Sequence, residues 1–158
     1  MIGGAKWHRR LSTCLLLLCL MFIWGNSMLP AAWSEAFSHW VGAILQALFP
    51  GDGVQGEGHG LLRKAAHFGE FCGLGLALCW HLGMWLHTHG AWIAGGLLGG
   101  FFTACVDETI QHFSPGRNPS FWDVAIDTAG TAVGIALFLG GVALIKKKKH
   151  YSYNGGKQ

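Results

Sequence analysis

The chain has 158 residues, of which 51% are hydrophobic and only 12% are charged, about half the charged share of a soluble domain. This composition excludes an ordinary soluble domain and predicts one integral membrane domain over residues 1–158. The net charge of +3 comes from the two ends of the chain, so no nucleic acid is expected as a partner. The five cysteines lie in apolar stretches without a CxxC pair, which argues against disulfides and zinc. We therefore expect no cofactor and no metal.

The first apolar segment covers residues 11–29 and follows a basic start. It is close to the ~20 residues that cross a bilayer as a helix. A signal peptide with cleavage near residues 30–32 would have the same basic start and apolar run. The run is long for a signal core and contains the bulky Met21, Phe22 and Trp24 near its end, so we favour a transmembrane helix.

The predicted first outer loop, residues 30–63, begins with an amphipathic stretch at 33–48. This stretch is too short to cross the bilayer, and its tryptophans suit the headgroup level, although a helix packed on protein explains the pattern equally well. Five glycines in residues 51–60 predict a flexible loop. Glu57 and His59 offer metal ligands there, but a solvated loop is the simpler interpretation.

Three further apolar segments lie at residues 64–86, 91–113 and 121–145, followed by four lysines at 146–149. With Lys6, Arg9 and Arg10 before the first segment, the positive-inside rule places both termini in the cytoplasm. The prediction is an all-α protein of the cell membrane, a four-transmembrane-helix bundle with a short amphipathic helix in the first outer loop. The turn at 87–90 contains His87 and His89, which we interpret as surface residues rather than metal ligands.

Polar residues share a helix face with glycines in the last three segments, because a helix advances ~100° per residue. Small residues at four-residue spacing allow close helix contacts in membranes, so Gly96, Gly100, Gly130 and Gly134 are predicted packing positions. The polar groups on the same faces then point into the bundle. The shared stripes are Lys64, His67, Phe71 and Gly75; Gly96, Gly100, Thr103, Asp107 and Gln111; and Asp123, Asp127, Gly130 and Gly134.

The depths of these residues agree as well. Glu70, Asp107 and Asp127 each lie roughly 9–10 Å from the outer end of their segment. The result is a predicted outward-facing polar pocket made of Lys64, His67, Glu70, Asp107, Glu108, Gln111, Arg117, Asp123 and Asp127. An ion-pair cluster that only holds the helices in register is the alternative, and Asp123 also fits a capping box with Ser120. The excess of carboxylates over cations favours a pocket with a ligand or proton chemistry.

Within this pocket Arg117 is the predicted anion contact, since a guanidinium offers a planar fork to phosphate or carboxylate. Lys64 would add a point charge beside it. His67 is the side chain expected to change charge near neutral pH.

Four motifs between residues about 61 and 140 together resemble one known family. They are Lys64-x-x-His67-Phe68-x-Glu70-Phe71, Asp107-Glu108-x-x-Gln111, Pro115-Gly116-Arg117, and Ser120-x-x-Asp123-x-x-x-Asp127-x-x-Gly130-x-x-x-Gly134. The pattern is similar to that of the VanZ-like small membrane proteins. The resemblance implies a link to resistance against the glycopeptide teicoplanin but no settled biochemical activity. The family often has His and Tyr where this chain has Ile110 and Phe71, which argues against a proton relay.

Three classes of function remain open at this point. The favoured one is a cell-envelope protein that binds a lipid headgroup or a lipid-linked envelope precursor. The second is a membrane enzyme acting on a phosphate-bearing lipid, with Lys64 and Arg117 holding phosphate. The third is a small proton or cation transporter that uses the carboxylates, for which a homo-oligomer would supply the path.

Overall fold

The computed structural model describes residues 2–48 and 58–155, and within these ranges it contains five helices and no strand. The helices are α1 (Ile2–Met28), α2 (Ala31–Leu48), α3 (Gly58–Gly83), α4 (His89–Phe113) and α5 (Phe121–Gly155). The all-helical prediction is confirmed. The predicted flexible loop lies outside the described residues except for 58–60, which already belong to the first turn of α3.

Three of these helices are long and apolar enough to cross a membrane: residues Lys6–Met28, His89–Phe113 and Phe121–Lys148. They correspond to the first, third and fourth predicted segments. The second predicted segment falls on α3, which is 26 residues long, about 39 Å. Its first half carries charged and polar side chains between the apolar ones, so its composition alone does not mark it as a span.

The central position of α3 explains why it tolerates this composition. It contacts each of the other four helices, and α5 most extensively. Phe71, Leu74 and Cys79 on α3 are completely buried. A helix that is covered by protein on several sides needs less lipid-facing apolar surface than an isolated span.

Contacts near the helix ends show that α1, α3, α4 and α5 alternate in direction. Asn26 of α1 lies against Glu70 of α3, whereas the Arg9 guanidinium lies 4.5 Å from the centre of the Trp85 ring just beyond the other end of α3. Gly83 at the end of α3 lies beside Trp92 near the start of α4. The basic start of α1 and the lysines late in α5 are therefore at the same end of the bundle, and the polar residues of interest are at the opposite end.

Close helix contacts are concentrated at glycines. A Cβ atom at Gly134 of α5 would overlap the backbone carbonyl of Cys72 in α3, and one at Gly130 would lie 2.5 Å from the Phe68 carbonyl oxygen. Thr131, which is completely buried, fills the remaining space: its backbone oxygen blocks a Cβ at Gly75, and its side chain blocks one at Gly100. At Gly96, a Cβ would lie 2.9 Å from Ile135. Helices α3 and α5 thus approach each other backbone to backbone, whereas the glycines of α4 pack against the side chains of Thr131 and Ile135 on α5.

The two short connections are fixed by specific hydrogen bonds. Thr88 caps α4, its hydroxyl oxygen accepting from the Ala91 amide at 3.3 Å. At the other end of α4, Gly116 turns the chain with a φ of +74°, a conformation that suits glycine. The Ala31 amide donates to the Pro115 carbonyl at 3.1 Å, which ties the start of α2 to this turn. The exposed Trp33 and Trp40 then extend along α2.

Candidate functional site

The polar cluster lies where the end of α1, the start of α3, the end of α4 and the start of α5 meet. The structure brings the nine predicted pocket residues to this end of the bundle, and most of them are buried. Lys64 is the only exposed member of the nine. The cluster has an outer level around Lys64 and Asp123 and an inner level around His67 and Asp127.

Arg117 is only 5% exposed, and its guanidinium is directed at the end of α1. Nε donates to the Leu29 carbonyl at 3.3 Å, one Nη to the Asn26 carbonyl at 3.1 Å and the other to Gln111 Oε1 at 3.5 Å. These carbonyls carry the partial negative charge of a helix C-terminus, which a cation stabilises. Burial lowers the pKa of Arg117 from its usual value, and the nearby Arg63 charge acts in the same direction, but a guanidinium stays protonated in proteins.

Gln111 connects Arg117 to the inner level of the cluster. Its side-chain nitrogen donates to Asp107 Oδ2 at 2.8 Å, one turn earlier on α4, and lies 3.5 Å from the Ser27 hydroxyl of α1. The chain of contacts therefore runs from the α1 terminus through Gln111 to Asp107. It holds one oxygen of Asp107 in place and leaves Oδ1 without a hydrogen-bond partner among the described residues.

Glu108 satisfies the N-terminus of α5. Its Oε2 accepts from the Ser120 amide at 2.8 Å, while the Ser120 hydroxyl accepts from the Trp122 amide at 3.2 Å. The start of α5 is thus capped by Ser120 and by a carboxylate from α4. Asp123, which fits a capping box in the sequence, instead lies 3.9 Å from Lys64 Nζ.

A small cavity opens beside this Lys64–Asp123 pair. The volume open to the centre of a water molecule is about 10 Å³, enough for roughly one water. Lys64 retains 47% of its side-chain exposure, and such exposed pairs are weak and easily opened. Arg63 also lines the cavity and makes no hydrogen bond or salt bridge within the described ranges. The lining consists of Arg63, Lys64, His67, Glu108, Gln111, Asp123, Ile126 and Asp127.

The inner level contains His67, Asp107 and Asp127, one side chain from each of α3, α4 and α5. They are 9%, 0% and 1% exposed. One side-chain N or O atom from each lies within 4.8 Å of those of the other two. Both carboxylate oxygens of Asp127 and Nδ1 of His67 are buried without a hydrogen-bond partner among the residues described. Chemically, three such groups can share a proton or bind a cation.

Glu70 joins the cluster from the side of α1. Its Oε1 accepts from Asn26 Nδ2 at 3.0 Å, and its other oxygen is buried without a partner within the described ranges. It does not line the cavity. Of the nine predicted residues, Glu70, Asp107 and Arg117 therefore lie behind the cavity wall and the other six form it.

Sequence reasoning missed the contribution of α1, and it counted Arg63 as a nearby cation without including it in the predicted pocket. The end of α1 forms three hydrogen bonds with the cluster. Asn26 donates to Glu70, the Ser114 hydroxyl donates to the Ser27 carbonyl at 2.7 Å, and Arg117 donates to the Leu29 carbonyl. The only signal for α1 was the pair Asn26 and Ser27 at the end of an apolar run. The signal for Arg63 was its place beside Lys64 in the predicted outer loop, where a basic residue runs against the positive-inside rule.

Comparison with known protein families shows that a family model described as VanZ/LLP1 matches residues 11–145, which includes most of α1 and all the residues of the polar cluster. No curated protein matches the chain, and no solved structure does.

Proposed function

Because the chain belongs to the VanZ/LLP1 family of proteins, we propose that it is a cell-envelope membrane protein that binds the phosphate group of a lipid at its polar cluster. The lipid is a membrane phospholipid or a lipid-linked envelope precursor. The observation that carries this proposal is the pair of cations at the cavity mouth. Arg63 and Lys64 are adjacent; Arg63 is partly exposed and Lys64 is exposed. Lys64 forms only a 3.9 Å ion pair with Asp123, and Arg63 forms no ion pair within the described ranges.

The proposed topology has four spans, with α3 as the one that composition alone does not mark. The alternating helix directions require α3 to cross if α1, α4 and α5 do. Both basic ends of the chain then lie in the cytoplasm, and the polar cluster faces outward. Reporter fusions after residues 89 and 158 should report the cytoplasm, and one after residue 53 the outside. A cytoplasmic report at residue 53 would contradict four spans and the outward cluster together.

Lys64 and Arg63 are the proposed anion contacts, and Arg117 takes a supporting role. A phosphate that displaces Lys64 from Asp123 would contact Arg63 and Lys64 at the cavity mouth. Each of these cations would donate a charge-assisted hydrogen bond to it. Arg117 already donates to the α1 carbonyls and Gln111, so its charge acts on the cluster from behind. The cavity admits about one water, so we expect the lipid phosphate to bind at the mouth rather than inside.

The test is the lipid that purifies with the protein. The wild type and the double variant Arg63→Gln/Lys64→Gln are extracted in mild detergent, and bound lipids are identified by mass spectrometry. The wild type should retain a phosphate-bearing lipid, and the double variant should lose most of it. Enrichment of phosphatidylglycerol would identify a phospholipid, and enrichment of a polyprenyl phosphate would identify an envelope precursor.

The matched control is Lys146→Gln/Lys147→Gln, which removes two exposed cations at the other end of the bundle. It should retain the lipid of the wild type. If both double variants lose lipid equally, the retention reflects general charge and the assignment to the polar cluster is wrong.

We further propose that this binding changes how lipoglycopeptides act at the cell surface. The basis is the family, whose name-giving member is linked to teicoplanin resistance. Expression of the wild type should raise teicoplanin tolerance, and Arg63→Gln/Lys64→Gln should remove the effect at equal membrane abundance. Unchanged tolerance in the double variant would separate the phenotype from this site.

A further inference from the structure

The deepest part of the polar cluster has chemistry that a lipid phosphate does not explain. We propose that His67, Asp107 and Asp127 bind one divalent transition-metal ion, of the Zn²⁺ or Mn²⁺ type. The proposal concerns different residues from the phosphate contacts Arg63 and Lys64, so either can fail without the other. It also revises the sequence-based expectation that the protein holds no metal.

The geometry supports convergence on one point. The three side chains come from three helices, and one ligand atom of each lies within 4.8 Å of the other two. Two ligands on a tetrahedral Zn²⁺ at ~2.1 Å are about 3.4 Å apart, so small side-chain movements suffice. The helices themselves cannot spread easily, because Gly130 and Gly134 hold α5 against the α3 backbone.

The unpartnered buried atoms are groups that a bound cation would satisfy. Asp127 is 1% exposed, and neither of its oxygens has a hydrogen-bond partner in the described part of the chain. His67 Nδ1 and Asp107 Oδ1 are in the same situation. Leaving a buried carboxylate ionised without a partner is very costly, and a bound cation removes that cost. The remaining oxygen of Asp107 is fixed by Gln111 at 2.8 Å, as metal-ligating carboxylates usually are.

The donor set selects the class of metal. An imidazole nitrogen favours Zn²⁺ and other transition metals, whereas sites made only of oxygen suit Mg²⁺ and Ca²⁺. Three protein ligands leave one coordination position for water. His67 and Asp127 both line the cavity, whose volume fits about one water, so that position and the route for the metal face the same opening.

The first experiment uses the wild-type protein. It is purified in detergent, stripped with a chelator, incubated with Zn²⁺, Mn²⁺ or Mg²⁺ alone, desalted and analysed for bound metal and thermal unfolding. One Zn²⁺ or Mn²⁺ per chain should bind and raise the unfolding temperature, with a much weaker effect of Mg²⁺. Equal binding of Mg²⁺, or no binding of any of the three, would overturn the proposal.

The second experiment locates the ion. His67→Gln and Asp127→Asn should each weaken metal binding at least about 100-fold. Losing a group that only hydrogen-bonds a ligand costs about 10- to 100-fold in metal affinity, and losing the ligand itself costs more. The matched controls are His112→Gln on α4 and Glu35→Gln on α2, both exposed and outside the polar cluster, and both should bind metal like the wild type. Triad variants that bind like the wild type would mean an adventitious ion only.

A spectroscopic measurement keeps the assignment testable if the triad variants do not fold. Electron spin echo modulation of Mn²⁺ in the wild type should show coupling to one imidazole nitrogen. A spectrum with oxygen and water ligands alone would exclude His67 and with it the proposed site.

Discussion

The contact between α5 and α3 gives a sharp test of the fold. Gly134→Ala adds a single methyl group where the Cys72 carbonyl and Gly75 Cα of α3 stand. Both obstacles are backbone atoms, so no side-chain rotation relieves the overlap and the helices must separate. Gly140→Ala, on the same helix, is the matched control, because a Cβ there meets nothing within 4 Å.

The two variants differ only in this overlap. Each gains about 0.5–1 kcal/mol from replacing a helical glycine by alanine. Overpacking at Gly134 costs about 1–3 kcal/mol in addition, because the backbone of α3 or α5 must move. Gly134→Ala should therefore be less stable than Gly140→Ala by about 1–3 kcal/mol. In a chain of this size that is a difference of roughly 2–12 °C in the unfolding temperature.

The assay is thermal unfolding of both purified variants in the same detergent, together with their abundance in the membrane. Gly140→Ala should equal or exceed the wild type in unfolding temperature. If Gly134→Ala unfolds at the same temperature as Gly140→Ala, the close approach of α3 and α5 is not present in the protein, and the placement of the inner residues loses its basis.

Two further predictions concern the ends of helices. Arg117→Lys should destabilise the protein by about 1.5–3 kcal/mol, because one ammonium cannot replace three donors to Asn26, Leu29 and Gln111; the exposed control Arg10→Lys should change the unfolding temperature little. Ser120→Ala should cost about 0.5–2 kcal/mol through loss of the α5 cap, and Ser120→Thr should restore most of it. Wild-type stability of Arg117→Lys, or no difference between the two Ser120 variants, would contradict these contacts.

Most of the helices could be predicted from the sequence. The length of the apolar segments predicted α1, α4 and α5, and Pro115 and Gly116 predicted the end of α4 correctly. The bounds of α3 were less accurate: the predicted segment 64–86 compares with Gly58–Gly83 in the structure. Glycines at 58 and 60 indicated a loop, but α3 begins there and contacts the other four helices, and tertiary contacts often override weak local propensity.

Six of the nine predicted pocket residues could be grouped from the sequence because each lies on the same helix face as a glycine that needs close contact; Glu70, Glu108 and Arg117 lie outside these faces. What each one contacts could not be derived this way. The sequence predicted Arg117 as an anion contact. In the structure it donates to the Asn26 and Leu29 carbonyls, because the end of a helix leaves such carbonyls unsatisfied. Long-range contacts of this kind depend on how α1 packs, and an apolar sequence does not indicate which helices it will contact.

The most direct test of the central claim is an equilibrium titration of the purified protein with a polyprenyl phosphate and, separately, with phosphatidylglycerol. The wild type should bind one of them in a saturable way that weakens with added salt. Arg63→Gln/Lys64→Gln should lose about 10-fold or more in affinity, and Lys146→Gln/Lys147→Gln should bind like the wild type. Equal affinities for all three proteins would contradict phosphate recognition at the polar cluster.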